Sequence, residues 1–289
     1  MQALAEFIMR GRTQACAVAL LGSFFPFISP ATIGLVTLRK GSVEGLLVLL
    51  WAALPLIASY SLSEGPALLT LVSIASLIMM VVSANVLRLT ASWQSTMLVS
   101  IMVGGLSALG FGWFFSTDVN LLIDNIGEML AEVAAKQQVE QEPFIPGREF
   151  ILGLVALILA VSAVVSLFVA RWWQALLYNP GGFGEEFHSL RLQPAVAGLL
   201  LLAVIGGLRL PNGYEFWAEL MAVPLLMAGL ALAHHTVKFL QAGTQWLVFM
   251  YVGLIVFGPS VGVLLVGLGF ADSILNLRSR LAAVKNRQP

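Results

Sequence analysis

The chain has 289 residues, of which 59% are hydrophobic and only 10% charged, with a mean hydropathy of +0.92. Soluble domains carry about 25% charged residues, so this composition excludes an ordinary water-soluble protein and points to an integral membrane protein. Fifteen basic and fifteen acidic residues cancel, which leaves no charge excess to draw the chain to nucleic acid.

Taken in chain order, Leu4, Phe7 and Ile8 share one helical face while Glu6 and Arg10 point elsewhere. The pattern predicts a short interfacial helix, with a frayed terminus as the alternative. Apolar blocks follow at 13–38, 44–62, 66–86, 92–116, 149–170, 195–210, 216–236 and 244–273. Each approaches or exceeds the roughly 20 residues that cross the hydrocarbon, and none shows the two-residue alternation of a membrane barrel. The fold is expected to be all-α, a polytopic helical bundle forming one transmembrane domain over 1–289. Arg10 and Arg12 precede the first block as in a signal peptide, but no A-x-A site with a polar start follows, so the block is expected to remain in the membrane. The one cysteine, Cys16, lies inside it, which excludes an internal disulfide and suits a small packing residue.

The basic residues set the orientation. Arg39, Lys40, Arg88, Arg171, Arg191 and Lys238 follow alternate blocks, and Arg10, Arg12, Arg278, Arg280, Lys285 and Arg287 mark the two ends. The positive-inside rule places them all in the cytoplasm, with Arg209 as the exception. That requires the first and last blocks to enter and return. Pro26 and Pro30 interrupt the first and Gly258 with Pro259 the last, and proline breaks or kinks a helix. Six single spans flanked by two proline-broken hairpins are expected, eight to ten membrane segments in all. Both termini then lie on the cytoplasmic side of a bacterial inner membrane. Two kinked but continuous helices are the alternative.

Outside the membrane this topology places the loops 61–65, 117–148 and 211–215. The stretch STDVNLLIDNIGEMLAEVAAKQ offers Thr117 or Asp118 as an N-cap, then Leu122, Ile126, Met129 and Val133 at helical spacing. It predicts an extracytoplasmic amphipathic helix, either a linker resting on the bundle or a lid over a cavity.

On the cytoplasmic side, RWWQALLYNPGGFGEEFHSLRLQ at 171–193 is the most varied run. Arg171, Trp172, Trp173 and Tyr178 suit an interfacial belt, and Asn179 and Pro180 with three glycines are turn chemistry. The glycines lack the lysine and hydroxyl of a phosphate loop, and Glu185 and Glu186 would repel an anion. Glu185 and His188 have Glu-x-x-His spacing, with His234 and His235 on the same expected side. Helical carboxylate sites use that motif twice with two further glutamates, and it occurs here once, so no metal site is expected. A cytoplasmic connector whose Glu185, Glu186, His188 and Arg191 face a partner is the reading that remains.

Few ionisable residues lie within the blocks, which argues against a proton-coupled pump. H-E-x-x-H, G-x-S-x-G, Walker and paired-cysteine motifs are absent, so neither an enzyme nor a cofactor is expected. Small residues are frequent instead. Ala15 and Ala19 form a small-xxx-small pair, and VGGLSALGFG, AVIGGL and VGVLLVGLG repeat the theme, favouring close helix packing.

LAEFIMRGRTQA leading into a proline-broken block, the turn LRKG, the connector YNPGGFGEEFHSLRL and the final GLGFADSILNLRSRL together resemble the YybS-like family of bacterial membrane proteins. That family is similar in turn to the S components of energy-coupling-factor transporters. The resemblance implies a helical bundle that binds a small substrate and docks on a coupling membrane protein with ATPases. The S-component A-x-x-x-A motif facing that protein corresponds to Ala15 and Ala19. A ligand pocket would then open outward beneath the 118–142 helix, lined by Phe24, Phe25, Pro26, Ser29 and Trp113. The rival reading is a membrane scaffold or assembly protein that binds only lipid in its bundle and recruits a partner through its cytoplasmic loops.

Overall fold

A computed structural model describes every residue except 26, 63–66, 138–144 and 286–289. Pro26, Glu140, Glu142 and Arg287 therefore lie outside the described residues. Among those described, the chain is helical throughout, with fourteen helices: α1 Gln2–Arg10, α2 Arg12–Gly22, α3 Ile28–Lys40, α4 Ser42–Leu62, α5 Ala67–Thr90, α6 Trp93–Phe114, α7 Ser116–Gln137, α8 Arg148–Tyr178, α9 Gly182–Ser189, α10 Pro194–Gly207, α11 Glu215–Leu240, α12 Gln245–Phe257, α13 Pro259–Leu275 and α14 Leu277–Lys285. Five of them, α4, α5, α6, α8 and α11, are long and apolar enough to cross a membrane. The count rises to seven if the bent pairs α9 with α10 and α13 with α14 each make one span. A surface studded with exposed leucine, isoleucine and phenylalanine along these helices suits a membrane-embedded protein.

The chain divides into two compact units, one of residues 1–178 and 207–220, the other of 179–206 and 221–289. The first is built around α3, which packs against α1, α2, α4, α5 and α8. From Ala31 to Leu38 every residue of α3 is buried, the mark of a helix surrounded by protein rather than lying at its edge. Close packing there depends on Gly34, where a Cβ would run into the Met80 methyl and the Ala170 side chain. The buried Thr37 hydroxyl donates back to the Ile33 carbonyl at 2.8 Å, so its polarity is absorbed inside the helix. Between α5 and α6 the Ser83 and Ser100 hydroxyls meet at 2.9 Å while Ser100 donates to the Thr96 carbonyl at 2.9 Å.

The first apolar block is interrupted between α2 and α3, and the two helices pack on each other. At the break the Ser23 N–H turns to the Leu20 carbonyl, which leaves the Ala19 carbonyl without its usual partner. Ser29 Oγ donates to that carbonyl at 2.5 Å, and Ser23 Oγ lies 3.1 Å from it. A backbone group freed inside an apolar bundle must be satisfied this way. Elsewhere in this unit the Trp217 indole N–H donates to the Glu149 carbonyl at 3.0 Å.

The second unit contains α9, most of α10, the remainder of α11, and α12 to α14. The last apolar block is likewise divided, because Gly258 adopts φ 30°, ψ −98°, a conformation that side chains resist. Pro259 then starts α13, needing no N–H donor at a helix's first turn. α13 ends at Asn276 with φ 49°, a left-handed conformation asparagine tolerates better than most residues. There the axis turns by 70° into α14.

Candidate functional site

The second unit brings four stretches together: α9, the extended segment after it, the end of α11, and the α13–α14 corner. α9 is preceded by Gly181, whose φ of 87° suits glycine. Beyond α9, Leu190 and Leu192 are buried whereas Arg191 is only partly so. In an extended chain neighbouring side chains point to opposite sides, so the two leucines anchor the segment and free the arginine to reach elsewhere.

Arg278 is the clamp. Its Nη1 donates to the His188 carbonyl at 2.5 Å and its Nη2 to the Leu190 carbonyl at 2.7 Å, satisfying acceptors at the C-terminal end of α9 that have no intrahelical partner. Its Nε lies 3.0 Å from Asp272 Oδ2, with the two side chains 11% and 1% exposed. That contact is Coulombic: its angle misses hydrogen-bond alignment, and neither Asp272 oxygen has a hydrogen-bond partner. Arg191 adds a second link, donating from Nη2 to the Ser273 carbonyl at 3.0 Å. The corner at Asn276 creates this arrangement, since it folds Arg278 back toward the carboxylate six positions earlier.

Around the clamp opens a cleft of about 670 Å³, lined by Glu185, His188, Arg191, His235, Lys238 and Arg278 among others. Next to it, His234 Nε2 lies 2.8 Å from the Tyr251 hydroxyl, and the His188 and His234 rings are 6.3 Å apart. Among the described residues no three histidine, cysteine or carboxylate side chains gather as metal ligands would. Three cations and one carboxylate line the cleft, and with Asp272 set behind Arg278 it keeps a small excess of positive charge.

The structure thus joins Glu185, His188 and Arg191 of the connector to His235 at the end of α11. It also adds Lys238 and Arg278, which the sequence had offered only as orientation marks, together with Asp272 and Asn276, which it had not singled out. Asp272 carried a usable signal: a carboxylate closing an apolar helix, an asparagine four residues on, and an arginine two beyond that. Glu186 does not line the cleft.

The residues expected to form an outward pocket lie elsewhere. Phe24, Phe25 and Trp113 are exposed, at 77%, 66% and 81%, as interfacial aromatics often are. Ser29 is buried and committed to Ala19, and Pro26 lies outside the described residues. Ala15 and Ala19 are buried in the first unit, where α2 packs against α1, α3 and α4.

No family model matches the chain, and neither a curated protein nor a solved structure matches it.

Proposed function

We propose that the protein is a non-enzymatic component of the bacterial inner membrane that binds a small ligand, in the manner of the substrate-binding component of a transporter. Its topology is six single spans with a hairpin at each end and both termini in the cytoplasm. The resemblance to the YybS-like family supplies the transporter side of this reading. The observation that carries the binding side is the cleft itself. It draws side chains from the connector, the end of α11 and the α13–α14 corner, and two arginines tie the connector to that corner through backbone carbonyls. A binding site needs this kind of bracing, because ligand groups are held best by residues whose own positions are fixed. In the proposed topology Arg191, Lys238 and Arg278 are all cytoplasmic, so the cleft opens on that face. The α7 helix lies outside.

A scaffold role is the second reading, favoured by the burial of Ala15 and Ala19. A stripe already covered by neighbouring helices is not free to meet a coupling protein. Affinity purification of the full chain from its own membrane separates the two. Copurification of a membrane protein with ATPases supports the transporter component. A different stable partner, together with a cleft that retains no ligand, establishes the scaffold.

A further inference from the structure

The basic cleft does not end at its charged rim. A second cleft of about 710 Å³ shares Phe239 with it and is lined chiefly by Leu232, Val237, Leu240, Leu268, Leu277 and Leu281, with Arg280 as its one charged residue. The first is cationic and the second largely apolar, and they adjoin along the same helices.

Their depths fit a membrane. Lys238 stands in the last turn of α11, the level at which a spanning helix meets the headgroups. Leu232, six residues back, lies about 9 Å deeper at 1.5 Å per residue. α13 runs to the same end, with Asn276 at the basic cleft and Leu268 about 12 Å behind it. α14 turns across that end at 70° and places Leu277 and Leu281, one helical turn apart, over the apolar part. A ligand matching both clefts has an anionic head at the interface and a hydrocarbon chain reaching inward.

We propose that this unit binds one anionic phospholipid, its phosphate in the cleft of Arg191, Lys238 and Arg278 and an acyl chain in the leucine-lined groove. This rests on the ligand-binding reading above and names the ligand's class. Of the three cations in the first cleft, only Arg278 is set against a buried carboxylate, and Glu185 offsets one more; with Arg280 in the adjoining groove, an excess of positive charge remains to meet the negative charge of a phosphodiester. Lys238 and Arg191 have no carboxylate partner among the described residues. Basic pockets between spanning helices on the cytoplasmic side are a recurring form of lipid headgroup site.

The test uses the full chain purified in a neutral detergent, with native mass spectrometry and thermal unfolding as readouts. The probes are phosphatidylglycerol, phosphatidylcholine and inorganic phosphate. Phosphatidylglycerol is expected to bind about tenfold more tightly than phosphatidylcholine. Lys238→Glu, at an exposed and unpaired position, should abolish that preference while leaving the ligand-free unfolding temperature unchanged. Leu268→Trp, which fills the groove, should weaken phosphatidylglycerol binding without affecting phosphate. Equal binding of the two lipids, or indifference to Lys238→Glu, overturns the proposal, and so does phosphate binding as tightly as the lipid. A copurified non-lipid molecule lost in Lys238→Glu would overturn the phospholipid while sparing the ligand-binding role. If no molecule of any kind binds in a manner sensitive to Lys238→Glu, both readings fall.

Discussion

Replacing Arg278 by alanine removes one guanidinium and three contacts: the carbonyls of His188 and Leu190, and the carboxylate of Asp272. Asp272 is almost wholly buried, and the loss leaves it charged without a counter-ion. Breaking a buried pair from one side costs roughly 3–5 kcal/mol, because the stranded charge remains in a poor solvent. Removing both charges, as in Asp272→Leu with Arg278→Met, leaves only the two carbonyls unsatisfied, at about 1 kcal/mol each. The double variant should therefore be more stable than Arg278→Ala alone. Since these contacts hold the connector onto the α13–α14 corner, the loss should appear first as local opening at 179–193. A change of 3 kcal/mol raises an open population roughly a hundredfold, and cleavage by dilute protease follows that population. Limited proteolysis of the purified protein in mild detergent reads it out. The control is Arg12→Ala, which breaks the exposed pair with Glu44 and should leave cleavage unchanged, as surface pairs contribute little. Cleavage in Arg278→Ala at the parent rate, or a double variant worse than the single, would refute the reasoning.

Other expectations follow from the packing and the topology. Gly229→Ala would drive a Cβ into the Leu265 backbone carbonyl, costing about 1–3 kcal/mol by overpacking, whereas Gly262→Ala faces open space; thermal unfolding distinguishes them. Ser83→Ala removes the hydroxyl that meets Ser100 between α5 and α6 and should cost about 0.6 kcal/mol in unfolding from mixed micelles, the usual scale for such bonds between membrane helices. Lys40→Cys and Arg280→Cys, labelled in intact cells with an impermeant thiol reagent on a Cys16→Ala background, should both stay unlabelled; labelling of either contradicts the two-hairpin topology.

Hydropathy made the helical class and the block positions legible, because twenty apolar residues in a row leave the backbone few alternatives. The interruptions between α2 and α3 and at Gly258 were legible for a related reason: proline and positive-φ glycine act locally, so their effect survives without knowledge of neighbours. The separate helices α13 and α14 were less visible, as Asn276 is a weaker stop than either. The site was half legible. Glu185, His188 and Arg191 drew notice because chemistry clusters within their own short stretch. Their partners did not, since Lys238 and Arg278 read as orientation charges, and only tertiary folding brings residue 278 back to residue 188. The glutamates at 185 and 186 also argued against an anion when the connector was read alone; Glu186 does not line the cleft, and the cations that join Arg191 there come from helices 50 and 90 residues further along. Burial of Ala15 and Ala19 was likewise beyond a spacing rule, which marks a close helix contact without saying whether the neighbour is internal.

The central claim is that the second unit holds a bound molecule between its connector and its last two helices. Cryo-electron microscopy of the full chain in nanodiscs containing phosphatidylglycerol, at side-chain resolution, tests it most directly. The account expects continuous non-protein density with its head against Arg191, Lys238 and Arg278 and a tail along Leu268 and Leu281. A cleft closed by its own side chains, or one holding only solvent, would contradict it.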